Sequence, residues 1–517
     1  MRLESVLLSH CRARPDKLAL ACGPERVTFG ELGRRLRAVA GNLVQAGLRP
    51  GDRVVLYLPN CVEFVEAFFA VLAAGGIPIP VTTRLTLREV SYFCDDSSAA
   101  MLICHEAQTA GVATEIVPNR PGLKLFAVGT APEGFVSYST LREGEPGALP
   151  VLPSEQDEAA ILYTSGTTGT PKGVVLTHAN ILIQHGFMNA VEWGISGEDR
   201  YLVVAPMAHR SGMGRMINAT ILGGTLHILG HFDPEAVIDT LDREKITVFG
   251  MVPTMCRMLL PVLEAAPERA ASIRLMPVTG EAFPVPLKMK LMELMPDMRL
   301  TSFFGMTEAG GVTTLAHEEQ FSHAGSVGRP SPGVEVRIVD SEGAEVPTGE
   351  VGELLVRTGR PGAFTVMKEY LGRPEQTAEA LVDGWCHTGD MAKADADGYL
   401  YIVDRKKDMV LSGGFNIYSK EVELTIGELP GIRDVAVIGL PDAVFGEAVT
   451  AVIEHDPDDK PPTPDEIVAH CRASIAGYKK PKHIFYRTAL PRNATGKVMK
   501  HALVAELSAE LADEAMA

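Results

Sequence analysis

The chain lacks the cysteine pattern of a disulfide or zinc framework. Its eight cysteines, Cys11, Cys22, Cys61, Cys94, Cys104, Cys256, Cys386 and Cys471, form no CxxC pair and no finger-like spacing. They read as reduced, mostly buried thiols of a cytoplasmic protein. Long apolar runs are also missing. The most apolar window, Val62 to Val81, carries Glu63 and Glu66 and ends in Gly75, Gly76, Pro78 and Pro80, the pattern of a packed helix and strand, with no integral membrane segment. The opening MRLESVLLSHCRARPDK breaks at Ser9 and His10 and has no signal-peptide core. Positive charge is in deficit: 48 basic against 65 acidic side chains give a formal charge of −17. That balance argues against a broad surface for nucleic acid or anionic lipid, so an anionic substrate would need a local basic site. Low-complexity tracts and internal repeats are absent. So are two nucleotide signatures. Gly166 is followed five residues later by Pro171, and Gly173 follows the lysine, which is not a Walker loop; no convincing GxGxxG opens a helix after a strand.

What is present is YTSGTTGTPKG, Tyr163 to Gly173, glycine and small hydroxyl residues ending in one lysine. Glycine lets the main chain approach an anion, successive amides form an anion-binding nest, and Lys172 adds a mobile positive charge. A polyphosphate is the fitting ligand. The apolar runs Ala159 to Leu162 and Val174 to Leu176 predict flanking strands, unlike a bare Gly/Thr linker.

At 517 residues the chain should hold two or more domains, on a guide of about 150 residues each. Strand and helix patterns alternate from residue 50 to beyond 300: Arg53 to Leu58, Val62 to Ala74, Ile77 to Val81, then Thr225 to Leu229, Pro234 to Arg243, Thr247 to Met251, Pro253 to Leu263, Arg274 to Thr279 and Leu287 to Leu294. Such alternation implies parallel sheets covered by helices. After about residue 325 the texture turns to short β segments and turns. A charged segment, Asp404 to Asp408, then precedes a region with strand Val435 to Ile438, helix Pro464 to Ala476 and strand His483 to Tyr486, and the chain ends in a helical pattern. The predicted class is α/β: a large N-terminal domain, 1–403, of helix-covered mixed sheets plus a small β unit, a hinge at 404–408, and a small mobile α+β domain, 409–517.

Further motifs follow the glycine loop in fixed order: PMAHRSGM at 206, TGEAFP at 279, FFGMTEAG at 303, WCHTGD at 385, VDRKKDMVLSGGFNIYSKEVE at 403 and PRNATGKVMK at 491. With GDRVVLYLPNCVEFVEAFFAVLAAGGIPIPV near the N-terminus, they resemble the adenylate-forming superfamily of acyl-CoA synthetases, aryl-acid ligases, luciferases and peptide-synthetase adenylation domains. The resemblance covers essentially the whole chain.

That resemblance implies ATP, Mg²⁺ and CoA as cofactors, a small carboxylic acid as substrate, and an acyl-adenylate between two steps. Joining two anions needs charge neutralisation and in-line alignment. It assigns ATP binding to Thr164, Ser165, Gly166, Thr167, Thr168, Gly169 and Lys172, to Gly280, Glu281 and Ala282, to Phe304, Gly305, Met306 and Thr307, and to Asp390, Arg405 and Lys497. Phe304 stands where many relatives stack a tyrosine on adenine. Glu308 resembles the Mg²⁺-ligating glutamate, with Thr164 adding a hydroxyl. Asp390 would accept ribose hydroxyls, and Lys497 would stabilise charge developing during adenylation. Catalytic roles thus fall on Lys497, His209, Glu308 and Lys172. Lys407 aligns with the hinge about which the small domain turns between the two half-reactions. Gly413 and Gly414, after Ser412, resemble the loop beside the CoA pantetheine channel. Met207, His209, Arg210, Met213 and Met306 are expected at the acyl pocket, the methionines as a soft apolar wall with Met216. Arg210, with Arg215, is a candidate for a second polar or carboxylate group on the acid. Two other readings stay open here: a free-standing enzyme loading a carrier-protein phosphopantetheine, and a non-catalytic nucleotide sensor. Oligomeric state, monomer or homodimer, is not legible.

Overall fold

The computed structural model describes residues 1–517 except 145–148, 151–153, 165–169, 280–282, 443, 457–459, 494–496 and 517. Two compact units emerge. The first takes in Thr170–Val336 and Val356–Thr388 with the N-terminal residues, and the second takes Arg337–Leu355 and Gly389–Ala517.

Three sheets build the first unit. The largest has nine strands; its central run, Leu18–Cys22, Thr225–Ile228, Arg200–Val203, Val248–Phe249, Leu275–Val278 and Arg299–Met306, is parallel throughout. Antiparallel strands close its edges, Glu25–Thr28 at one side, Gly310–Leu315 and Arg329–Pro330 at the other. A second sheet of five parallel strands runs Ile77–Val81, Arg53–Tyr57, Met101–His105, Lys124–Val128, Val136–Ser137. These crossovers are the βαβ alternation read in the sequence, and helices starting with Pro234 and Pro253 put proline where its missing N–H costs nothing. The third sheet is small and antiparallel, Glu369–Tyr370, Lys172–Thr177, Glu158–Thr164, and carries the glycine loop.

The apolar helix Val62–Ala73 lies in the core of this unit. Its Glu66 is fully buried, and its two carboxylate oxygens take Arg35 at 3.1 Å and Arg142 at 2.8 Å. Burying an unpaired carboxylate would cost several kcal/mol, which is why one acid draws two guanidinium groups. No described helix is long and apolar enough to cross a membrane. All eight cysteines are free thiols, and six are buried.

The second unit holds a five-stranded sheet, Phe415–Ile417, Val410–Ser412, Gly446–Glu454 and Asp434–Asp442, with His483–Arg487 parallel to Gly446–Glu454. Val437, Ala451 and Ile453 pack with helices Ser419–Ile426 and Pro464–Ser474 on one face. Leu440 and Val452 pack with Leu503 and Leu507 of helix Lys500–Met516 on the other. Strand Leu400–Arg405 is laddered to Trp385–Ala394 from Asp390↔Arg405 to Ala394↔Leu400. Compactness therefore divides the chain earlier than the 403/404 boundary read from sequence texture, because this ladder ties Gly389 onward to the residues that follow.

Candidate active site

The glycine loop sits at the tip of the hairpin Glu158–Thr164 and Lys172–Thr177, in register Thr164↔Lys172 and Tyr163↔Gly173. The flanking strands predicted from the apolar runs are present. Ser165, Gly166, Thr167, Thr168 and Gly169 lie outside the described residues; Thr164 closes one strand and Lys172 opens the other. The base of the loop is anchored. Tyr163 stacks on Phe93 at 4.0 Å and donates its hydroxyl to Asp96 at 2.8 Å. Asp96 also pairs with Arg373, and the Tyr92 hydroxyl reaches the Pro171 carbonyl at 2.9 Å. At Gly173 a Cβ would come within 2.9 Å of the Ile161 side chain, so only glycine lets these strands close.

Tyr370 joins two residues expected to act on ATP. The strand Glu369–Tyr370 pairs with the loop's second strand, Tyr370 opposite Val174, which sets the ring 4.9 Å from the Lys172 ammonium. Its hydroxyl donates to Glu308 Oε1 at 3.0 Å, and Met367 N–H donates to the Glu308 carbonyl at 2.6 Å. Lys172, Tyr370 and Glu308 thus form one chain of contacts beside the loop. Sequence reading missed Tyr370, since one aromatic in a two-residue strand carries no periodicity.

Glu308 belongs to the turn between Arg299–Met306 and Gly310–Leu315. A bulge falls after Phe304, and at Gly305 a Cβ would lie 2.5 Å from the Gly310 carbonyl oxygen, so the turn tolerates no side chain there. Phe303 packs on Trp193 at 5.1 Å, which turns Phe304, the next strand residue, to the opposite face. Met306 and Thr307 are half-buried. Gly280, Glu281 and Ala282 are outside the described residues.

PMAHRSGM forms the start of helix Arg210–Leu222, with His209 as its N-cap. A Cβ at Gly212 would meet the Pro206 carbonyl oxygen at 2.2 Å, so glycine permits the tight entry. Asn60 holds the approach, accepting Met207 N–H at 2.8 Å and donating to the carbonyls of Val204, Ala205 and Leu229. Burial pushes the His209 imidazole down to about 4, Arg84 adding to the effect, so it is neutral at pH 7. Met207, Met213 and Met216, expected as a soft wall, are fully buried and pack with the core of the first unit. Arg210 is also partly committed, since its Nη1 donates to the Thr307 carbonyl at 2.8 Å and braces the turn that carries Glu308.

Among the described residues no group of three or more His, Cys, Asp or Glu could cage a metal. Glu308 can still serve a hard cation: one oxygen takes Tyr370 and the other remains for a ligand bond of the kind Mg²⁺ shares with substrate phosphates.

The second unit places Asp390 and Arg405 opposite each other on adjacent strands, Arg405 Nε 2.7 Å from Asp390 Oδ1, with the carboxylate buried. The two expected ribose contacts are thus already one ion pair. Lys407 is exposed in the turn after Arg405, where Asp408 N–H returns to the Arg405 carbonyl at 2.9 Å. Gly413 and Gly414, at φ +58° and +81°, make the two-residue turn of the hairpin Ser412↔Phe415, a conformation that favours glycine at both positions. Lys497 is exposed and held by its backbone: its N–H reaches Asn493 Oδ1 at 3.0 Å, and its carbonyl accepts Asn493 N–H at 2.9 Å.

Comparison with known proteins decides the family. AMP-binding enzymes match residues 7–371, and their C-terminal domain matches 421–497. The chain belongs to the AMP-binding enzyme family. It is similar to a feruloyl-CoA synthase of an Amycolatopsis species, 37% identical over 500 residues, covering 96% of this chain and 97% of that one. It is also similar to a long-chain-fatty-acid–CoA ligase of Mycobacterium tuberculosis, 33% identical over 497 residues and covering 94% of each. Among solved structures, an anthranilate CoA ligase in complex with anthranoyl-AMP superposes with a TM-score of 0.89 at 28% identity, covering 99% of this chain and 98% of that one. The adenylate-forming resemblance of the motifs therefore holds for the fold and for the family.

Proposed function

We propose that this AMP-binding enzyme is an acid–thiol ligase that converts a carboxylic acid, ATP and CoA to acyl-CoA, AMP and pyrophosphate. The observation that carries the reading is the Lys172–Tyr370–Glu308 chain beside the glycine loop, in a chain whose relatives activate acids onto CoA.

In the first half-reaction a carboxylate oxygen attacks the α-phosphorus and the bond to pyrophosphate breaks. Lys172 and the glycine loop bind the phosphates, and Glu308 would hold Mg²⁺, which would supply neutralisation of phosphate charge. Lys497 stabilises charge at the carboxylate and α-phosphate. In the second, the CoA sulfur attacks the acyl carbon and AMP leaves with the electron pair. His209, kept neutral by burial, lines the thiol route, and Gly413–Gly414 give the pantetheine arm a side-chain-free turn. Lys407, exposed after the last residue of the Asp390↔Arg405 ladder, is the hinge between the two geometries, at the end of an N-terminal domain 1–403.

Pyrophosphate release with MgATP across a panel of carboxylic acids, followed by product analysis with CoA and with a phosphopantetheinylated carrier protein, tests the reading. Acyl-CoA and AMP are expected. Acylated carrier protein without acyl-CoA would replace CoA as the acceptor, and no pyrophosphate with any acid would remove the catalytic reading altogether.

A further inference from the structure

Helix Arg210–Leu222 carries a second arginine, Arg215, that is 6% exposed and has no acidic partner within ion-pair distance among the described residues. Its guanidinium lies 4.9 Å over the Trp193 ring, and its Nη1 finds no acceptor among the described residues. Arginine does not shed its proton at physiological pH, so this is a buried charge, and a buried charge without an anion costs several kcal/mol. An aromatic face offsets only part of that, about 2 kcal/mol when desolvated.

A second orphan donor stands beside it, and its polarity can be derived. Between helices His178–Leu182 and Asn189–Trp193 the chain makes a π-helical turn, Ile183–Met188, a local distortion that recurs at functional sites. Gln184 and His185 point inward from that turn, each 5% exposed. Gly311 N–H donates to Gln184 Oε1 at 2.7 Å, which fixes the amide so that Gln184 Nε2 donates to Asn189 Oδ1 at 3.1 Å. That in turn leaves Asn189 Nδ2 to donate to His185 Nδ1 at 3.3 Å. A neutral His185 that accepts at Nδ1 carries its proton on Nε2. Burial, with Arg210 and Arg215 nearby, pushes its pKa well down, so the ring is neutral. Nε2–H also has no acceptor among the described residues.

Gly214 seats the imidazole on this helix: a Cβ there would be 2.8 Å from His185 Cε1, one residue before Arg215, whose charge acts on the ring. The same helix begins at His209, and the same π turn is bonded through Gln184 to the strand after Glu308. We infer that Arg215 and His185 donate to a second carboxylate on the acid being activated, so that the substrate is a dicarboxylic acid of which only the far end is adenylated. The inference rests on the acid-ligation reading above. Arg215 follows His209 by six residues, about 9 Å along a helix axis at about 1.5 Å per residue, so the two carboxylates are separated by several carbons.

The test is pyrophosphate release by the full chain with MgATP, using α,ω-diacids of four to ten carbons and aryl diacids, each beside the monoacid of equal length. The wild type should favour one or more diacids in kcat/KM. Arg215→Met should lower the diacid-to-monoacid ratio about 30-fold, within the range of a lost charged hydrogen bond. Arg215→Lys, which keeps charge but loses the fork, should fall between, and His185→Phe should lower the ratio with Arg215 intact. A wild type that favours monoacids throughout, or variants that lower both classes equally, would overturn this inference and leave acid ligation standing. Absence of pyrophosphate with every acid would overturn both.

Discussion

Replacing Tyr370 by phenylalanine removes one atom from the contact chain and leaves the ring in place. The ring is 9% exposed and lies 4.9 Å from the Lys172 ammonium, so the cation–π contact survives the change. What is lost is the hydroxyl to Glu308 at 3.0 Å. Hydrogen bonds from hydroxyl to carboxylate usually close to about 2.5–2.7 Å, so this one lies at the weak end of the range of about 1.5–3 kcal/mol for charged partners. A loss of about 1.5 kcal/mol is about tenfold in kcat/KM for MgATP. The melting temperature should drop by no more than a few degrees, because packing is unchanged. The assay is pyrophosphate release against MgATP with a separate magnesium titration. A double-mutant cycle then decides the route of the effect. If Tyr370 acts by orienting Glu308, adding Tyr370→Phe to Glu308→Gln should cost little more, a coupling about equal to the whole single-mutant effect. Additive losses in the cycle, or a full-activity Tyr370→Phe enzyme, would refute the reasoning.

Four other outcomes are expected. Lys497→Ala should lower adenylation by about 10² to 10³ while sparing thioester formation from supplied acyl-adenylate, and equal loss in both half-reactions would take away its assigned role. Lys407→Pro locks φ in the proposed hinge, so adenylate should form normally while acyl-CoA turnover stalls; normal overall turnover would put the hinge elsewhere. Arg210→Ala should reduce kcat/KM for all acids alike, because its Nη1 braces Thr307; a loss confined to dicarboxylic acids would give it a direct part in substrate choice. The last concerns pH. Burial lowers His178 from 6.5 to about 3, so the unfolded chain binds the extra proton between those values and stability is lost as pH falls through that window. His178→Asn should flatten the fall of melting temperature between pH 6.5 and 4, and an unchanged slope would contradict the assignment.

What was legible from sequence was what depends on local pattern. The apolar runs around YTSGTTGTPKG predicted strands because they are short, continuous and end where the glycine-rich segment begins, and the order of motifs carried the family. Contacts made by residues far apart in sequence were not legible. Tyr370 meets Glu308 across 62 positions, and nothing in EYLGRP announces it. The methionines in and after PMAHRSGM mark another limit of local pattern. Their softness suits a pocket wall, but residue type alone does not say how deep a side chain sits, and Met207, Met213 and Met216 are fully buried.

Arg210 and Arg215 show where the boundary between pattern and packing falls. Sequence favoured Arg210, the direct neighbour of His209, and brought in Arg215 only beside it. Five positions apart on a helix they point about 140° away from each other, at about 100° per residue, so they meet different neighbours. Arg210 finds a backbone carbonyl and Arg215 finds an aromatic face. A guanidinium over a ring still wants an anion. The neighbouring imidazole can offer only an N–H, because an amide relay starting at the Gly311 backbone fixes its tautomer. Two buried donors that find no acceptor among the described residues specify the charge of the missing group, and an acid-activating enzyme has one natural source for it, the far end of its own substrate.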